Sequence, residues 1–289
     1  MKNMLAKISS LTAAAVMSLA IGLGGALAAG DEETPHYPIN KPNLQSWSFA
    51  GPFGHYDKGE LQRGFKVYRE VCAACHSMNR VSFRSLADLG YSEGQIKAIA
   101  SEYDIIDGPN ADGEMFERPG TGADHFTGPY PNPQAATAAN GGAYPPDFSL
   151  IAKARAVERG FPTFVFDIFT QYAENGPDYI YSLLTGYPED GEAPEGVDVV
   201  EGTYYNPYFI AGASLAMASP LSEDIVTYDD GTPATVDQMA HDVSAFLMWA
   251  AEPKLEERKS LGFKVVMFLL IFSILLYLTK KQVYAKLEH

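Results

Sequence analysis

Cysteine is scarce in this chain of 289 residues, which has only two, and this limits what the chain can bind. A structural zinc site needs four ligands, chiefly cysteine and histidine. No third cysteine exists in the sequence, and no two histidines are separated by the three to five residues typical of zinc ligands. The sequence therefore argues against a zinc-binding protein.

Positive charge is also scarce. The segment 160–253 has no lysine or arginine but sixteen aspartates and glutamates, and the formal net charge of the chain is −15. Such a charge disfavours binding to nucleic acids and to anionic lipid surfaces, and it favours a basic protein partner. The densest acidic cluster, for which a solvated loop is an equally good interpretation, consists of Glu189, Asp190, Glu192, Glu195, Asp198 and Glu201.

Both cysteines lie in the stretch Cys72-Ala73-Ala74-Cys75-His76. Two cysteines three positions apart, followed at once by histidine, are typical of a covalent c-type haem attachment site. Two intervening residues place both thiols on one side, where they reach the vinyl groups of one porphyrin edge. His76 then lies under the iron, for which a neutral imidazole is a good ligand. A chance match and a redox disulfide are the alternatives, but neither explains His76. The sequence thus predicts one covalent haem c and no structural disulfide.

The N-terminal residues 1–28 are predicted to be a secretory signal peptide. Lys2 and Lys7 precede an apolar, Ala/Gly-rich core that ends in the cleavage-type sequence Ala26-Leu27-Ala28. An uncleaved membrane anchor is the alternative, which the glycines of the core disfavour. Export agrees with the haem motif, because c-type maturation takes place outside the bacterial cytoplasm.

A second apolar segment, Val265 to Thr279, lies near the C-terminus. Extended back to Leu261 it is long enough to cross a bilayer if Lys264 snorkels to the interface. Lysines follow the segment, as the positive-inside tendency expects for a cytoplasmic C-terminus. A buried core helix is the alternative. The predicted domains are the signal peptide 1–28, a periplasmic c-type cytochrome domain 29–258, a transmembrane anchor 259–281 and a cytoplasmic tail 282–289.

Apolar periodicity predicts a mostly α fold with long loops and one C-terminal transmembrane helix. A helix from Lys58 carries the haem motif, because Leu61, Phe65, Tyr68 and Cys72 recur at spacings of four, three and four. Four further helices are predicted. One begins after Ser92, which forms a capping box with Gln95. The others are Phe161–Tyr172, Tyr179–Leu184 and a helix from Thr235 to the stop at Pro253.

Two stretches lack such periodicity. Residues 29–58 are predicted to be an extended arm. Residues 107–149 are punctuated by glycine and proline throughout and have no convincing period. Because a structureless stretch of that length commonly has a task, these residues are predicted to wrap a flat cofactor.

Several stretches together form a specific pattern over most of residues 50–285. They are Arg63-Gly64, Val71 to His76, Arg84-Ser85-Leu86, Asp107 to Gly120 (DGPNADGEMFERPG), Pro129 to Asn140 (PYPNPQAATAAN), Pro145 to Ser149 (PPDFS), Tyr179 to Tyr187, Gly212 to Leu221 (GASLAMASPL) and Asp229 to Pro253. The pattern resembles the cytochrome c1 family, the haem-bearing subunits of quinol–cytochrome c reductase (cytochrome bc1) complexes. Residues 156–175 depart from the mitochondrial members as a helical insertion.

The resemblance implies that His76 and Met217 are the axial ligands of the haem iron. From the residues alone, Met115 or a histidine (His36, His55, His125 or His241) stays open as the second ligand. The resemblance further implies that Arg155 lies near a haem propionate. The other implied haem-pocket residues are Asn140, Ala143, Pro145, Pro146, Ile151, Tyr179, Leu183, Leu184, Phe209 and Leu215.

The activity that the resemblance implies is one-electron transfer, from a Rieske iron–sulfur protein to a soluble or membrane-tethered basic cytochrome c. The chain would lie in the bacterial inner membrane beside a cytochrome b subunit, in a dimeric complex whose quinol oxidation belongs to a partner subunit. Two other classes stay open. A membrane-anchored c-type subunit of a terminal oxidase should lack the DGPNADGEMFERPG and PPDFS stretches, and a haem enzyme such as a peroxidase needs an open iron position.

Overall fold

The computed structural model describes residues 40–156 and 175–285, and helices and strands are numbered here over those residues. The predicted signal peptide 1–28, the predicted helix Phe161–Tyr172 and residues 286–289 of the predicted tail 282–289 lie outside the described residues.

Helices dominate the described part of the chain. They are α1 (Lys58–Glu70), α2 (Glu93–Ala100), α3 (Pro133–Ala139), α4 (Ile151–Ala154), α5 (Asn175–Thr185), α6 (Val236–Ala251) and α7 (Leu255–Val283). Two 3₁₀ segments, Cys72–Ala74 and Phe83–Leu89, follow α1.

The strands are short and form three antiparallel pairs. They are β1 (Met78–Ser82), β2 (Asp104–Asp107), β3 (Phe116–Pro119), β4 (His125–Phe126), β5 (Tyr204–Tyr205) and β6 (Ser214–Leu215). Strand β1 pairs with β4, β2 with β3 in the register Asp104 to Pro119, and β5 with β6 in the register Tyr204 to Leu215. Strands this short fix loops rather than build a core.

The frame of the domain is the contact between α1 and α6. Asp57 caps α1 by accepting a hydrogen bond from the Glu60 amide at 2.9 Å, which satisfies one of the unpaired N–H groups of the first turn. Where the helices meet, a Cβ on Gly64 would lie 2.1 Å from the Asp242 carbonyl oxygen and 2.6 Å from the Phe246 Cβ. Only glycine permits this approach.

Aromatic side chains fill the space around that contact. The ring centroid of Phe246 lies 5.6 Å from that of Phe65 and 5.8 Å from that of Tyr68. Phe126 from β4 packs against Phe65 at 5.8 Å and against Phe83 at 4.3 Å. All five side chains are buried, and each such pair contributes about 0.5–1.5 kcal/mol beyond its buried area. The core thus clamps the end of α1, where the cysteines follow.

The C-terminal helix α7 begins earlier than the predicted anchor 259–281. It starts at Leu255 and is long and apolar enough to cross a membrane. Its first turns pack on the domain: Leu255 is buried, and the buried Lys259 ammonium donates to the Phe49 carbonyl oxygen. The Tyr56 amide donates to the Glu256 carboxylate at 2.8 Å. The base of α7 is therefore fixed to the domain through backbone atoms of Phe49 and Tyr56, which precede α1.

Local sequence signals predicted several helix ends correctly. The capping box is confirmed, because the Ser92 amide donates to Gln95 Oε1 at 2.9 Å and the Gln95 amide donates to Ser92 Oγ at 3.4 Å. Thr235 accepts from the Gln238 amide at 3.1 Å, and α6 ends two residues before Pro253.

Two other predictions need correction. Residues 107–149 are not free of regular structure, because β3, β4 and α3 lie there. Helix α3 shows no apolar period, since Ala136 is its only buried residue; Asn132 caps it and Pro133 begins it. The first helix ends at Glu70 instead of continuing through Cys72, because the chain tightens into a 3₁₀ turn.

Candidate functional site

The two cysteines lie on a tight turn directly after α1. The amide of Cys75 donates to the Cys72 carbonyl oxygen at 3.1 Å, and the amide of His76 donates to the same oxygen at 2.9 Å. Both cysteines are half-buried and neither is in a disulfide. Burial, assisted by the neighbouring Cys75, raises the pKa of the Cys72 thiol to about 12, so this thiol stays protonated. The turn presents two separate thiols followed directly by an imidazole.

The ring of His76 is held in one tautomer. Its Nδ1 lies 2.9 Å from the Pro146 carbonyl oxygen. A carbonyl can only accept a hydrogen bond, so Nδ1 carries the proton and Nε2 keeps its lone pair. Burial lowers the pKa of His76 despite the opposing effects of Pro146 and Asp147, and the ring is therefore neutral near pH 7. A neutral imidazole with a free Nε2 is a metal ligand ready for use.

The residues around His76 limit its movement. The ring of Phe148 stacks on the imidazole with 3.9 Å between centroids and 16° between planes. The Tyr68 hydroxyl donates to the His76 carbonyl oxygen at 3.2 Å. Only 8% of the His76 surface is exposed. The arrangement fits a ligand whose orientation has to be fixed before iron is bound.

The loop that supplies the Pro146 carbonyl is itself fixed through Asp147. The Asp147 carboxylate accepts from the Ser77 hydroxyl and the Asn79 amide, both at 2.8 Å, and from the Ser149 amide at 2.9 Å. Burial alone would raise the pKa of Asp147, but these hydrogen bonds lower it on balance, so the carboxylate stays ionised. The loop is thus fastened to the residues that immediately follow the haem motif.

Met217 follows strand β6 and is partly buried against the core. The Tyr187 hydroxyl donates to the Met217 carbonyl oxygen at 2.9 Å, and burial raises the pKa of this phenol far above its ordinary value, so it remains a donor. Met115 differs clearly, because it lies in the loop between β2 and β3 and is 60% exposed. The backbone at Met217 is held; the Met115 side chain faces solvent.

Helix α5 fixes the segment that leads to Met217. The Asn206 side-chain amide donates to the Leu183 carbonyl oxygen at 2.8 Å, and the Ile210 amide donates to the Tyr179 hydroxyl at 3.3 Å. Together with Tyr187, these contacts follow a spacing of four residues along the chain. Residues four apart lie on the same side of a helix. Tyr179 and Leu183 therefore lie on the same side of α5, and Tyr187, just beyond the end of this helix, adds the contact with Met217.

The other residues with predicted roles in the pocket fall into two groups by burial. Buried are Ile151, Tyr179, Leu184 and Leu215. Partly exposed are Asn140, Ala143, Pro145, Pro146, Arg155, Leu183 and Phe209. Among these residues, Pro146 makes the contact with His76 described above. The Asn140 side chain donates to the Ala136 carbonyl oxygen at 2.7 Å. Arg155 caps the C-terminal end of α4. Burial raises the pKa of Tyr179, and the nearby positive charge of Arg155 opposes this rise.

Sequence reasoning gave no individual role to two residues that the structure places at the site. They are Phe148, which stacks on His76, and Tyr187, which binds the Met217 carbonyl. Both lie in stretches that carried the family resemblance, PPDFS and Tyr179 to Tyr187. The resemblance thus marked the stretches, but the individual contacts require the fold.

Histidine alternatives for the second ligand are less well placed. His241 lies 3.0 Å from the Glu60 carboxylate and stacks on Trp47 at 4.4 Å. His125 is exposed on β4, and His36 lies outside the described residues. Glu60, His241 and Asp242 have ligand atoms within 4.8 Å of one another, but both Asp242 oxygens accept hydrogen bonds from Arg63. That cluster fits an ion-pair network better than a metal site.

A short helix contact at a glycine, with two cysteines and a fixed imidazole directly beyond it, is the arrangement of c-type cytochrome domains. In this chain the domain is followed by the apolar helix α7, which is long enough to cross a membrane.

Comparison with known proteins defines the family. The model of the Cytochrome C1 family matches residues 47–287. The chain is 47% identical over 258 residues to cytochrome c1 of Rhodospirillum rubrum, which covers 85% of this chain and 88% of that protein. It is 46% identical over 243 residues to "Cytochrome c1 1, heme protein, mitochondrial" of Arabidopsis thaliana, covering 84% and 69%. This chain belongs to the cytochrome c1 family, as its resemblance predicted.

A further relative is longer. The protein named cytochrome b/c1 of Bradyrhizobium diazoefficiens is 56% identical over 278 residues, which are 94% of this chain but 40% of that protein. The chain therefore spans less than half of this relative.

Proposed function

We propose that this chain is the electron-transfer subunit of a cytochrome bc1 complex and carries one haem c, bound covalently through Cys72 and Cys75. The observation that carries the proposal is the His76 ring, because the Pro146 carbonyl holds its Nδ1–H and leaves Nε2 for iron. When bound, the haem supplies a reversible one-electron redox couple. The chain supplies the attachment, the ligands and an environment that sets the potential.

Met217 is the second axial ligand in this proposal. Its backbone is fixed by Tyr187 and its side chain is partly buried, whereas the competing Met115 is exposed to solvent. Small residues around Met217 in the stretch GASLAMASPL let the backbone approach a flat ring closely. A thioether ligand favours the ferrous state more than a second imidazole does, which raises the potential.

The remaining predicted pocket residues keep water from the haem in this proposal. Arg155 would stand beside a propionate, where a fixed cation offsets the cost of burying a carboxylate. The apolar members would line the ring faces and edges. They are Ala143, Pro145, Pro146, Ile151, Tyr179, Leu183, Leu184, Phe209 and Leu215, with Asn140 as a polar neighbour.

The electron would come from the Rieske iron–sulfur protein and leave to a basic cytochrome c. Family membership supports a place beside cytochrome b in a dimeric complex, in which this chain is the subunit that does not bind quinone. Helix α7 would anchor the chain in the bacterial inner membrane, with the haem domain in the periplasm. Lys280 and Lys281 lie in the last turn of that helix, which agrees with a cytoplasmic C-terminus.

The acidic segment 189–201 supports the choice of a basic acceptor. All six of its carboxylates are exposed. A surface of one sign attracts an oppositely charged partner over distances longer than a contact. Docking of cytochrome c therefore needs no apolar groove on this surface.

The attachment chemistry can be tested on the purified full-length protein. Denaturing electrophoresis followed by haem staining should show haem on the chain, and acidified acetone should not extract it. Cys72→Ser and Cys75→Ser should each leave one thioether bond, which shifts the pyridine haemochrome band, and the double variant should lose covalent haem. Extraction of haem from the unchanged chain, or covalent haem in the double variant, would overturn the proposal.

A further inference from the structure

We propose that the loop 51–55 is a second membrane contact of the domain, with Phe53 inserted into the lipid at the periplasmic membrane–water interface. The inference rests on the proposed membrane anchoring by α7. Its occupant is the phospholipid bilayer itself, with apolar contact instead of charge as the source of affinity.

The first observation is an aromatic pair at the base of α7. Phe53 is 77% exposed, which is unusual for so large an apolar side chain in a domain with an extensive core. Its ring centroid lies 5.8 Å from that of Phe263, in an edge-to-face arrangement at 65°. Phe263 is itself half exposed. The two rings therefore form one apolar surface that the described residues leave open.

The second observation is that the loop is held in place on both sides of Phe53. Ahead of it, the Phe49 carbonyl oxygen accepts from the buried Lys259 ammonium. Behind it, the His55 amide donates to the Ser48 carbonyl oxygen at 3.1 Å, and the Tyr56 amide donates to Glu256. The exposure of Phe53 is thus imposed by contacts that tie the loop to α7.

The loop is also too tight to withdraw Phe53 by a small rearrangement. Gly51 has a φ of 73°, which a residue with a side chain rarely adopts. A Cβ on Gly54 would lie 2.1 Å from the Ala50 carbonyl oxygen. Glycines on both sides of Pro52-Phe53 therefore turn the chain so that the ring stays outside.

The third observation is the position of the pair along α7. Phe263 precedes Lys264, and the uncharged apolar run begins at Val265. Two residues along a helix correspond to about 3 Å. Phe53 therefore lies at the level at which the helix enters the hydrocarbon, where interfacial segments insert apolar side chains such as phenylalanine. Apolar groups at such an interface typically insert into the membrane to a depth of roughly 5–10 Å.

Continuity with α7 favours lipid over a partner protein as the occupant. No part of the apolar stretch of α7 is buried within the described structure, and the Phe53–Phe263 surface extends directly from this stretch. Between loop and helix lies a cleft of about 280 Å³, lined by Pro52, His55, Ser260 and Lys264 among others. Its rim thus offers donors to lipid phosphates while its rings offer apolar area, as a membrane interface requires.

The test uses a spin label at residue 53 of the full-length, haem-loaded protein in phosphatidylcholine vesicles. Phe53→Cys provides a single free thiol, because haem attachment consumes Cys72 and Cys75. Collision of the nitroxide with oxygen, which concentrates in lipid, is compared with collision with the water-soluble Ni(II)–EDDA complex. Val266→Cys within α7 reports the lipid value, and Ile106→Cys, another highly exposed apolar position on β2, reports the water value.

The proposal predicts an oxygen-to-nickel collision ratio at residue 53 severalfold above that at residue 106, in vesicles and in the purified complex. A ratio equal to that at residue 106 would overturn it. Loss of both collisions at residue 53 in the complex would also overturn it, because a protein subunit would then cover the loop. A water-like value at residue 266 would instead contradict the membrane anchoring, which separates failure of the anchor from failure of the loop contact.

Discussion

A single hydrogen bond determines what the ring of His76 can do. The Pro146 carbonyl fixes the tautomer, and Asp147 fixes the loop that carries this carbonyl. The chain thus fixes the orientation of the His76 ring through a backbone carbonyl and a carboxylate. Met217, the proposed second ligand, has its backbone carbonyl held by the Tyr187 hydroxyl.

The second ligand gives a prediction at this scale. Met217→Leu should keep haem covalently attached, lower the midpoint potential by on the order of 0.1 V, and open the ferrous iron to carbon monoxide, since axial ligands span about 0.8 V. Redox titration and the carbon monoxide difference spectrum measure both effects. Met115→Leu is the matched control and should change neither. The assignment fails if Met217→Leu keeps its potential and stays closed to carbon monoxide while Met115→Leu does not.

His241 gives a prediction about pH. Burial alone would lower the pKa of His241, but the hydrogen bond and charge of Glu60 raise it on balance. A folded-state pKa above the unfolded value of about 6.5 means that the charged pair stabilises the fold below that pH, and that the stabilisation is lost as pH rises through the folded pKa. Urea unfolding at a series of pH values should show this loss.

The matching variants separate His241 from other groups that titrate. His241→Gln should flatten the fall in stability above about pH 6.5, whereas His125→Gln, which changes an exposed histidine, should leave it unchanged. Identical pH profiles for the unchanged protein and His241→Gln would show that this pair contributes nothing.

At the scale of secondary-structure elements, the contact of α1 with α6 positions the haem motif. The helices touch at Gly64, so the distance between them depends on the absence of a side chain. Overpacking a well-packed contact of this kind costs about 1–3 kcal/mol. The cysteine turn begins two residues after α1 ends, and any displacement of the helix moves the turn.

Gly64→Ala should therefore lower the free energy of unfolding by about 1–3 kcal/mol or more. Gly94→Ala on α2 is the control, because a Cβ there meets no atom within 4 Å, and it should be neutral or stabilise by up to about 1 kcal/mol. Thermal unfolding of the two variants measures the difference. Equal stability of Gly64→Ala and the unchanged protein would mean that the helices separate without cost.

Particular elements show how far the sequence alone could reach. Helix α6 was predictable because an apolar stripe, a capping threonine and a proline stop coincide. Helix α3 was not, because it buries one alanine and lacks any stripe. The cysteine motif predicted His76 as the proximal ligand, but the tautomer of its ring depends on a carbonyl seventy residues away. Contacts distant in sequence, such as Lys259 with Phe49, leave no local pattern.

At the scale of the whole molecule, charge is distributed unevenly. The net charge is −15, and the described residues 175–253 include the exposed acidic segment 189–201 and no lysine or arginine. Cations are instead concentrated on α1 and along α7, where many are paired with carboxylates. Such an asymmetry accelerates encounter with a basic protein and orients it before contact.

Electron transfer to a basic cytochrome c should therefore slow about tenfold or more as ionic strength rises past about 0.1 M, where the screening length is about 10 Å. Stopped-flow rates at limiting cytochrome c measure this. Replacing the six carboxylates of segment 189–201 by amides should reduce the salt dependence if that segment docks the acceptor. A rate independent of salt would exclude electrostatic docking.

The central claim is that this chain passes electrons from quinol oxidation to cytochrome c through its own haem. The most direct measurement mixes quinol with the purified membrane complex and follows the c-type haem and added cytochrome c by rapid optical spectroscopy. The account predicts that the bound c-type haem is reduced first, that cytochrome c is reduced as this haem is reoxidised, and that the Cys72→Ser/Cys75→Ser variant reduces no cytochrome c. Cytochrome c reduction at an unchanged rate in that variant would contradict the account.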